Sequence, residues 1–256
     1  LQINLSSIII AKNEAGNIRN CIESLSGVID EIVVVVDSSS SDDTYRIAAG
    51  YPKVKVYSSE WLGYSGTKEF ALSKTTNDWV FWIDADETLT DDLKNELAGF
   101  KKSTPAYDSY RVARRAYFLG KWIKYSGWYP GRVTRLFNKK KAGFSDSQVH
   151  ESLVIKGTTG NLKNDLNHFT DPDISHYYSK FNNYTSLAAG EIFAKGKKNR
   201  LSDLLIRPVF IFIKMYFLRF GFLDGRHGFI LAVFSANYVF TKYCKLWEIF
   251  ERKGNK

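Results

Sequence analysis

Apolar residues near the N-terminus come in short unbroken runs, and between the runs they recur at helical spacing. Residues 5–11 (Leu-Ser-Ser-Ile-Ile-Ile-Ala) predict a buried strand, and Ile18, Cys21, Ile22 and Leu25 then mark one face of a helix. Residues 31–36, with four consecutive Val, predict a second strand ending at Asp37; the polar run 38–44 predicts a loop that caps a helix over 44–49. A third strand is expected at 54–57 and a helix at 65–73. The fourth strand, at 79–83, holds two Trp and a Phe, the composition of a strand covered on both faces. Strand and helix alternate with short connections over about 80 residues, which predicts an α/β fold: a mostly parallel sheet with helices on both faces.

The pattern changes after residue 100. Residues 110–114 and 132–137 alternate with period two, as half-buried strands do, and an aromatic stretch without helix character lies between them at 122–129. Aromatic loops of this kind suit stacking on sugar faces, and they equally suit packing against the sheet. From residue 201 to 222 the chain is strongly apolar but interrupted by Arg207, Lys214 and Arg219. Arg200, Arg207 and Lys214 recur every seven residues and predict one basic helical stripe; Pro208 fits a helix start or a kink. Residues 221–228 predict a turn, and 229–241 a second apolar helix with a charged tail.

Polar residues gather where the first strands end: Asn13 and Glu14 after the first, Asp37 after the second, Asp84 and Asp86 after the fourth. In open parallel sheets ligands bind outside the carboxyl ends of the strands. Asp84 and Asp86, at i and i+2, would share one side of an extended chain, where two carboxylates about 4 Å apart repel by roughly 4 kcal/mol at an effective dielectric near 20. A divalent cation would turn that repulsion into binding, and oxygen ligands favour Mg²⁺ or Mn²⁺ over zinc. Taken alone, the same residues could form a turn, with Asp86 or Thr88 capping a helix that begins near Thr90. Glu87 is expected at that helix start. No Gly-x-Gly-x-x-Gly follows the first strand and no Gly-Lys-Ser/Thr loop occurs, which argues against a dinucleotide fingerprint and a phosphate-loop NTPase.

Charge adds a second feature. Of the net charge of +9, none comes from residues 1–194, because residues 195–256 carry 13 Lys/Arg against 4 Asp/Glu. An excess confined to one end points to an anionic partner there, and its interleaving with Phe, Tyr and Trp247 favours a membrane surface. Packing of these helices on the preceding α/β domain, or on a second copy of the chain, is the alternative. No apolar run reaches the roughly 20 residues of a transmembrane helix. No nucleic-acid motif is present, and no nucleic-acid partner is expected. Two cysteines, Cys21 and Cys244, are too few for a disulfide framework or a zinc site and favour a reducing compartment. Residues 1–7 show no basic stretch leading into an apolar one, so no signal peptide is expected there.

Longer motifs carry a resemblance. Ile9-Ile10-Ala11-Lys12-Asn13-Glu14, Val34-Val35-Val36-Asp37 followed by four Ser and Asp42, and Asp84-Ala85-Asp86 resemble the signatures of inverting family 2 glycosyltransferases of the GT-A fold. The likeness continues through Gly120-Lys121-Trp122-Ile123, Gly127-Trp128-Tyr129-Pro130, Arg135-Leu136-Phe137, Val149-His150-Glu151 and Gly221-Phe222-Leu223-Asp224-Gly225-Arg226, where it is similar to lipopolysaccharide-core β-1,4-glucosyltransferases. The resemblance implies a GT-A domain over 1–195, with a nucleotide-binding half at 1–100 and an acceptor half at 101–195, followed by a basic aromatic helical region at 196–256. It implies that Ala11, Asn13 and Glu14 lie by the nucleoside, Asp37 reads a uracil edge, Lys68 nears the diphosphate, and Asp84 and Ala85 contact the nucleotide. Asp86, with Asp84, would hold Mg²⁺ or Mn²⁺. Glu151 matches the catalytic base, and His150 would be a metal ligand, a diphosphate contact or a partner orienting Glu151. Trp128, Tyr129, Arg135, His168 and Lys180 would contact the acceptor or diphosphate. The implied reaction moves glucose from UDP-glucose to a lipid-linked saccharide such as the lipopolysaccharide inner core, at the cytoplasmic face of the inner membrane. Other readings are a transferase for another surface glycan, a nucleotidyltransferase, or a non-enzymatic membrane-binding module. A nucleotidyltransferase usually wants a Gly-rich, basic loop after the first strand, and residues 11–16 supply one Lys and one Gly.

Overall fold

The computed structural model describes residues 2–144, 153–197 and 200–254. Two compact units divide the chain: one runs to Arg114 and resumes over Arg132–His168, and the other comprises Arg115–Gly131 and everything from Phe169.

The first unit opens as the hydrophobic pattern requires: β1 (Leu5–Ala11), α1 (Ile18–Leu25), β2 (Glu31–Asp37), α2 (Thr44–Ala49), β3 (Val54–Ser59), α3 (Gly63–Ser73) and β4 (Trp79–Trp82). β5 (Glu87–Leu89) and α4 (Asp91–Phe100) follow, then in chain order β6 (Ser109–Phe118), β7 (Lys121–Trp122), β8 (Gly131–Asn138), β9 (Ala142–Phe144), β10 (Leu153–Ile155) and β11 (Thr159–Asp171), of which β7 belongs wholly to the second unit. Among the described residues nine strands form one sheet in the order β3-β2-β1-β4-β8-β6-β11-β5, with β7 beside β6; β9 and β10 pair separately. β3, β2, β1 and β4 run parallel, and β8 joins antiparallel, Val80 facing Phe137. This is a mixed α/β fold with a parallel half that begins at the N-terminus.

Strand alternation explains why helices cover both faces. Leu5, Ile9 and Ala11 of β1 and Ile32, Val34 and Val36 of β2 point into one core with Ile18, Cys21, Ile22 and Leu25 of α1 and Leu93 and Leu97 of α4. Ile8, Val33, Val35 and Val80 point the other way, onto Ala71 and Leu72 of α3. A two-sided core of this kind is why these strands read as continuous apolar runs. Glu31 pins the amino ends together: its carboxylate accepts from Ser6 Oγ (2.5 Å), Lys55 Nζ (2.6 Å) and Thr76 N (2.7 Å).

In the second unit, α5 (Ile174–Ala194) and α6 (Leu201–Ile213) pack against α7 (Arg226–Gly254). Tyr177 and Phe234 meet at 4.7 Å between centroids and Phe193 and Phe250 at 4.9 Å. Lys245 of α7 donates to Asn182 O and Oδ1, Thr185 Oγ1 and Ser186 Oγ, each at 2.8 Å, so this tail lysine is a helix clasp. Pro208 neither starts nor ends a helix but lies inside α6. A π-helical turn (Lys214–Leu218) and a 3-10 turn (Gly221–Asp224) connect α6 to α7. Neither α6 nor the π turn has a buried residue, and Leu205, Ile206, Val209, Phe210, Phe217 and Leu218 are exposed. Among the described residues no helix is long and apolar enough to cross a membrane.

Candidate active site

Because β1, β2 and β4 are adjacent and parallel, their carboxyl ends deliver Asn13–Glu14, Asp37 and Asp84–Asp86 to one edge of the sheet. At β1 the chain turns through Asn13, whose φ of 55° is one that Asn tolerates better than most residues. Its Oδ1 accepts from Ser41 N (2.8 Å), Glu14 N donates to Thr44 Oγ1 (2.8 Å), and Ala15 N donates to Asp42 Oδ2 (2.9 Å). The serine-rich run after β2 thus ties the β1 loop to the β2 loop. Asp37 is buried. Its Oδ1 accepts from Ser39 N (2.9 Å) and Oγ (2.8 Å), and Lys12 Nζ lies 2.9 Å from Oδ2. The Ser39 backbone N–H first, then Lys12, hold this carboxyl below its usual range. Ala11 and Ala85 are both buried beside these loops.

The Asp84-Ala85-Asp86 segment is not extended. Glu87 N donates to Asp84 O (3.0 Å), closing a turn, so the shared side expected from i, i+2 spacing gives way to separate partners. Asp84 Oδ1 accepts from Trp82 Nε1 (3.1 Å) and Oδ2 from Arg135 Nη2 (2.5 Å). The same Arg135 nitrogen donates to Glu87 Oε1 (2.6 Å), while Glu87 Oε2 accepts from Asp84 N (3.1 Å). Asp86 Oδ2 lies 3.4 Å from His168 Nε2, brought there because His168 of β11 sits opposite Glu87 of β5.

Two sequence expectations change here. Glu87 begins no helix: it opens β5 and is fully buried, while Thr90 caps α4 by accepting from Leu93 N (3.2 Å). Arg135, expected to touch acceptor or diphosphate, is turned inward: 2% exposed, it bridges Asp84 and Glu87 with its guanidinium carbon 4.3 Å from the Trp82 ring centroid. Its period-two strand, β8, pairs with β4 and so carries it under the Asp84 turn.

Burial pulls the Asp84 carboxyl upward, but the charges of Arg135 and Lys68 outweigh it and hold the group below its usual range. Glu87 is pushed the other way, by burial first and by the Asp84 charge, against the pull of Arg135. Lys68 of α3 is buried with its Nζ 4.0 Å from the Trp82 ring centroid. Arg114 adds a more distant cation, 3.8 Å from Glu87. Trp82 and Arg114 are the members of this network to which the sequence reading gave no site role, and Glu87 the one it placed at a helix start; the signal for Trp82 and Arg114 was their place at i−2 and on a period-two strand.

Trp128, Tyr129 and Lys180 belong to the second unit. Lys180 donates to Thr170 O (3.0 Å), and Trp128 packs on Phe118. His150 and Glu151 lie outside the described residues.

Among the described residues no three His, Cys, Asp or Glu side chains converge as a ready metal cage. The donor set still fits Mg²⁺ or Mn²⁺, which are commonly bound through one or two carboxylates with substrate phosphates and water completing the shell. Asp86, whose recorded neighbour is an imidazole rather than a guanidinium, is the carboxylate open to that role; Asp84 is committed to Arg135 and Trp82.

An open α/β sheet with an acidic turn and two tied loops at its carboxyl edge has its polar groups where such sheets bind ligands. The family model for glycosyl transferase family 2 matches residues 6–159, and the chain belongs to that family. It is 33% identical over 254 residues to the lipopolysaccharide core biosynthesis glycosyltransferase LpsC of Rhizobium meliloti (strain 1021), covering 96% of this chain and 93% of that protein. It is 34% identical over 267 residues to an uncharacterized glycosyltransferase of Rickettsia typhi (strain ATCC VR-144 / Wilmington), covering 98% and 89%. Among solved structures, the mannosyltransferase PcManGT from Pyrobaculum calidifontis, in complex with GDP-Man and Mn²⁺, superposes with a TM-score of 0.55 over 96% of this chain and 88% of that one, at 15% identity. The chain is therefore a glycosyltransferase of the GT-A fold.

Proposed function

We propose that this glycosyltransferase transfers glucose from UDP-glucose, with inversion, to a lipid-linked saccharide of the lipopolysaccharide inner-core type. The observation that carries the reading is the convergence of Asn13–Glu14, Asp37 and Asp84–Asp86 on one sheet edge, in a chain whose relative LpsC is named for lipopolysaccharide core biosynthesis. Asp86 would hold the divalent ion, which would supply positive charge against the charge that builds on the leaving nucleotide. Asp84 would remain ionised and immobile beside it, because Arg135 and Trp82 occupy its two oxygens. Asp37 would accept from the uracil N3–H, which requires Lys12, half exposed, to leave Oδ2. Lys68 and His168 would complete the diphosphate side. Glu151 would take the proton of the acceptor hydroxyl as that oxygen attacks the anomeric carbon opposite the departing UDP. The resemblance assigns Trp128, Tyr129 and Lys180, all of the second unit, to acceptor or diphosphate contacts.

The exposed apolar side chains of α6, together with the cation excess after residue 195, support peripheral attachment to an anionic membrane surface where a lipid-linked acceptor resides. Self-association through the same helices is the competing use of that face.

The test is a donor screen by thermal shift with UDP-, GDP- and dTDP-sugars, with Mn²⁺ or with chelator, followed by transfer assays on Asp86→Asn. A ligand at about 100 times its Kd stabilises by about 2.7 kcal/mol, a readily visible shift. UDP-glucose should stabilise most and only with metal, and Asp86→Asn should lose metal-dependent transfer while unfolding as the parent does. Unimpaired transfer by Asp86→Asn would sink the metal assignment.

A further inference from the structure

A cavity of about 450 Å³ lies in the second unit, lined by Ser126, Trp128, Tyr129, Lys214, Met215 and Arg219 among others. Its described lining includes two cations and no Asp or Glu. Neither Lys214 nor Arg219 has an ion-pair partner within 4 Å among the described residues. Ser126 is 4% exposed and its hydroxyl finds no hydrogen-bond partner among the described residues, an uncommon condition for a buried polar group.

The cavity is held open by a clasp rather than by loose loops. The Asp224 carboxylate accepts from Lys124 N (3.2 Å) and Tyr125 N (2.9 Å), Lys121 Nζ donates to Asp224 O (2.7 Å), and Ser126 N donates to Arg219 O (2.9 Å). Gly221 and Gly228 let the turn close: a Cβ on Gly228 would lie 1.9 Å from Gly221 O, and one on Gly221 would lie 2.6 Å from Ser126 Oγ. Lys214 and Arg219 bracket the π-helical turn, a feature frequent at functional sites. The residues beside Arg219 are exposed and apolar, Leu218 at 61% and Phe220 at 55%. Two cations and a hydroxyl suit a phosphate, and greasy neighbours pointing into solvent suit the chain attached to it.

We propose that this cavity binds the phosphate-bearing head of an amphiphile, with Lys214, Arg219 and Ser126 on the phosphate and Trp128 along the adjoining head. The inference rests on the proposed acceptor class for the identity of that amphiphile, a lipid-linked and phosphorylated saccharide. Calorimetric titration of the full chain with lysophosphatidic acid below its micelle concentration, with a monoacylglycerol of the same acyl chain, and with inorganic phosphate tests it. Lysophosphatidic acid should bind tightest. Lys214→Ser with Arg219→Ser should weaken it at least about tenfold, while loss of two remote exposed lysines, Lys53→Ser with Lys102→Ser, should change it by less than about twofold. Monoacylglycerol binding equally well would leave only an apolar cleft, and phosphate binding equally well would leave only a free-anion site; either overturns the proposal. Equal losses in the two variant pairs would mean general charge attraction and also overturn it. No donor or transfer step enters the titration, so a chain that binds the probe without transferring glucose refutes the reaction proposed above and not this site; transfer without probe binding does the reverse.

Discussion

Replacing Arg135 by Met tests the central claim about the acidic turn, that one buried guanidinium holds both Asp84 and Glu87. Arg135 Nη2 stands 2.5 Å from Asp84 Oδ2 and 2.6 Å from Glu87 Oε1. A unit-charge pair about 4 Å between charge centres is worth about 4 kcal/mol at an effective dielectric near 20. The Asp84 side chain is 34% exposed, so solvent discounts that half; Glu87 is fully buried and receives no such relief. Removing one partner of a buried pair typically costs about 3–5 kcal/mol, because the surviving charge is left uncompensated. Against a total stability of about 5–15 kcal/mol, Arg135→Met should therefore lower the urea midpoint markedly without changing the slope. The second half of the test is the double variant Arg135→Met with Glu87→Gln. With the buried charge removed as well, it should recover more than half of the loss. A single-variant loss under about 1 kcal/mol, or a double variant no better than the single, would refute the reasoning.

Acid stability should depend on Glu31. Burial alone would raise its pKa, but hydrogen bonds from Lys55, Ser6 and Thr76 outweigh burial and bring it down to about 2 from an ordinary 4.5. A depressed carboxyl adds stability above its unfolded pKa and loses it as pH falls, so this contribution, at most about 3 kcal/mol, should vanish between about pH 4.5 and 2. Glu31→Gln should flatten the measured stability over that window, and an unchanged slope would contradict the assignment. Gly228→Ala, placing a Cβ 1.9 Å from Gly221 O, should destabilise the second unit by several kcal/mol, seen as a lowered Tm; a Tm within about 2 °C of the parent would refute the close approach. In flotation with vesicles, the full chain should follow anionic and not zwitterionic lipid, and Leu205→Ser with Ile206→Ser and Phe210→Ser should abolish the association. A parent that stays at the bottom as a salt-stable dimer would assign the α6 face to self-association instead.

The alternating half of the fold was legible because its signal is local. Ile8 and Ile9 face opposite cores, so the residues of β1 and those of β2 between Glu31 and Asp37 must be apolar or small, and the runs announce themselves. The strand ends were legible for the same reason: polarity resumes where the sheet stops. What lay beyond the sequence were pairings across long separations. Nothing near Glu87 says that Arg135, 48 residues on, will reach it, or that His168 will stand beside Asp86. Lys245 looked like one more tail cation, yet four oxygens of α5 hold it, a fact that depends on helix packing alone. The boundary drawn at residue 195 follows the change in charge, whereas compactness joins Arg115–Gly131 to the helices, a grouping that no window of sequence displays.

The turn at Asp84 matters more than the identity of its carboxylates. Had the segment been extended, both would have shared one face, repelling one another and competing for one cation. Closing the turn through Glu87 N lets Arg135 neutralise Asp84 from beneath, where β8 delivers it, and leaves Asp86 3.4 Å from the His168 imidazole. A guanidinium keeps its proton near neutral pH, so Asp84 is a permanent anchor, and under the proposed metal role Asp86 is the carboxylate left for a cation. His168→Asn, which takes the imidazole from beside Asp86, should change the metal concentration needed for half-maximal transfer. An unchanged metal requirement would mean that the imidazole stands near Asp86 without governing it.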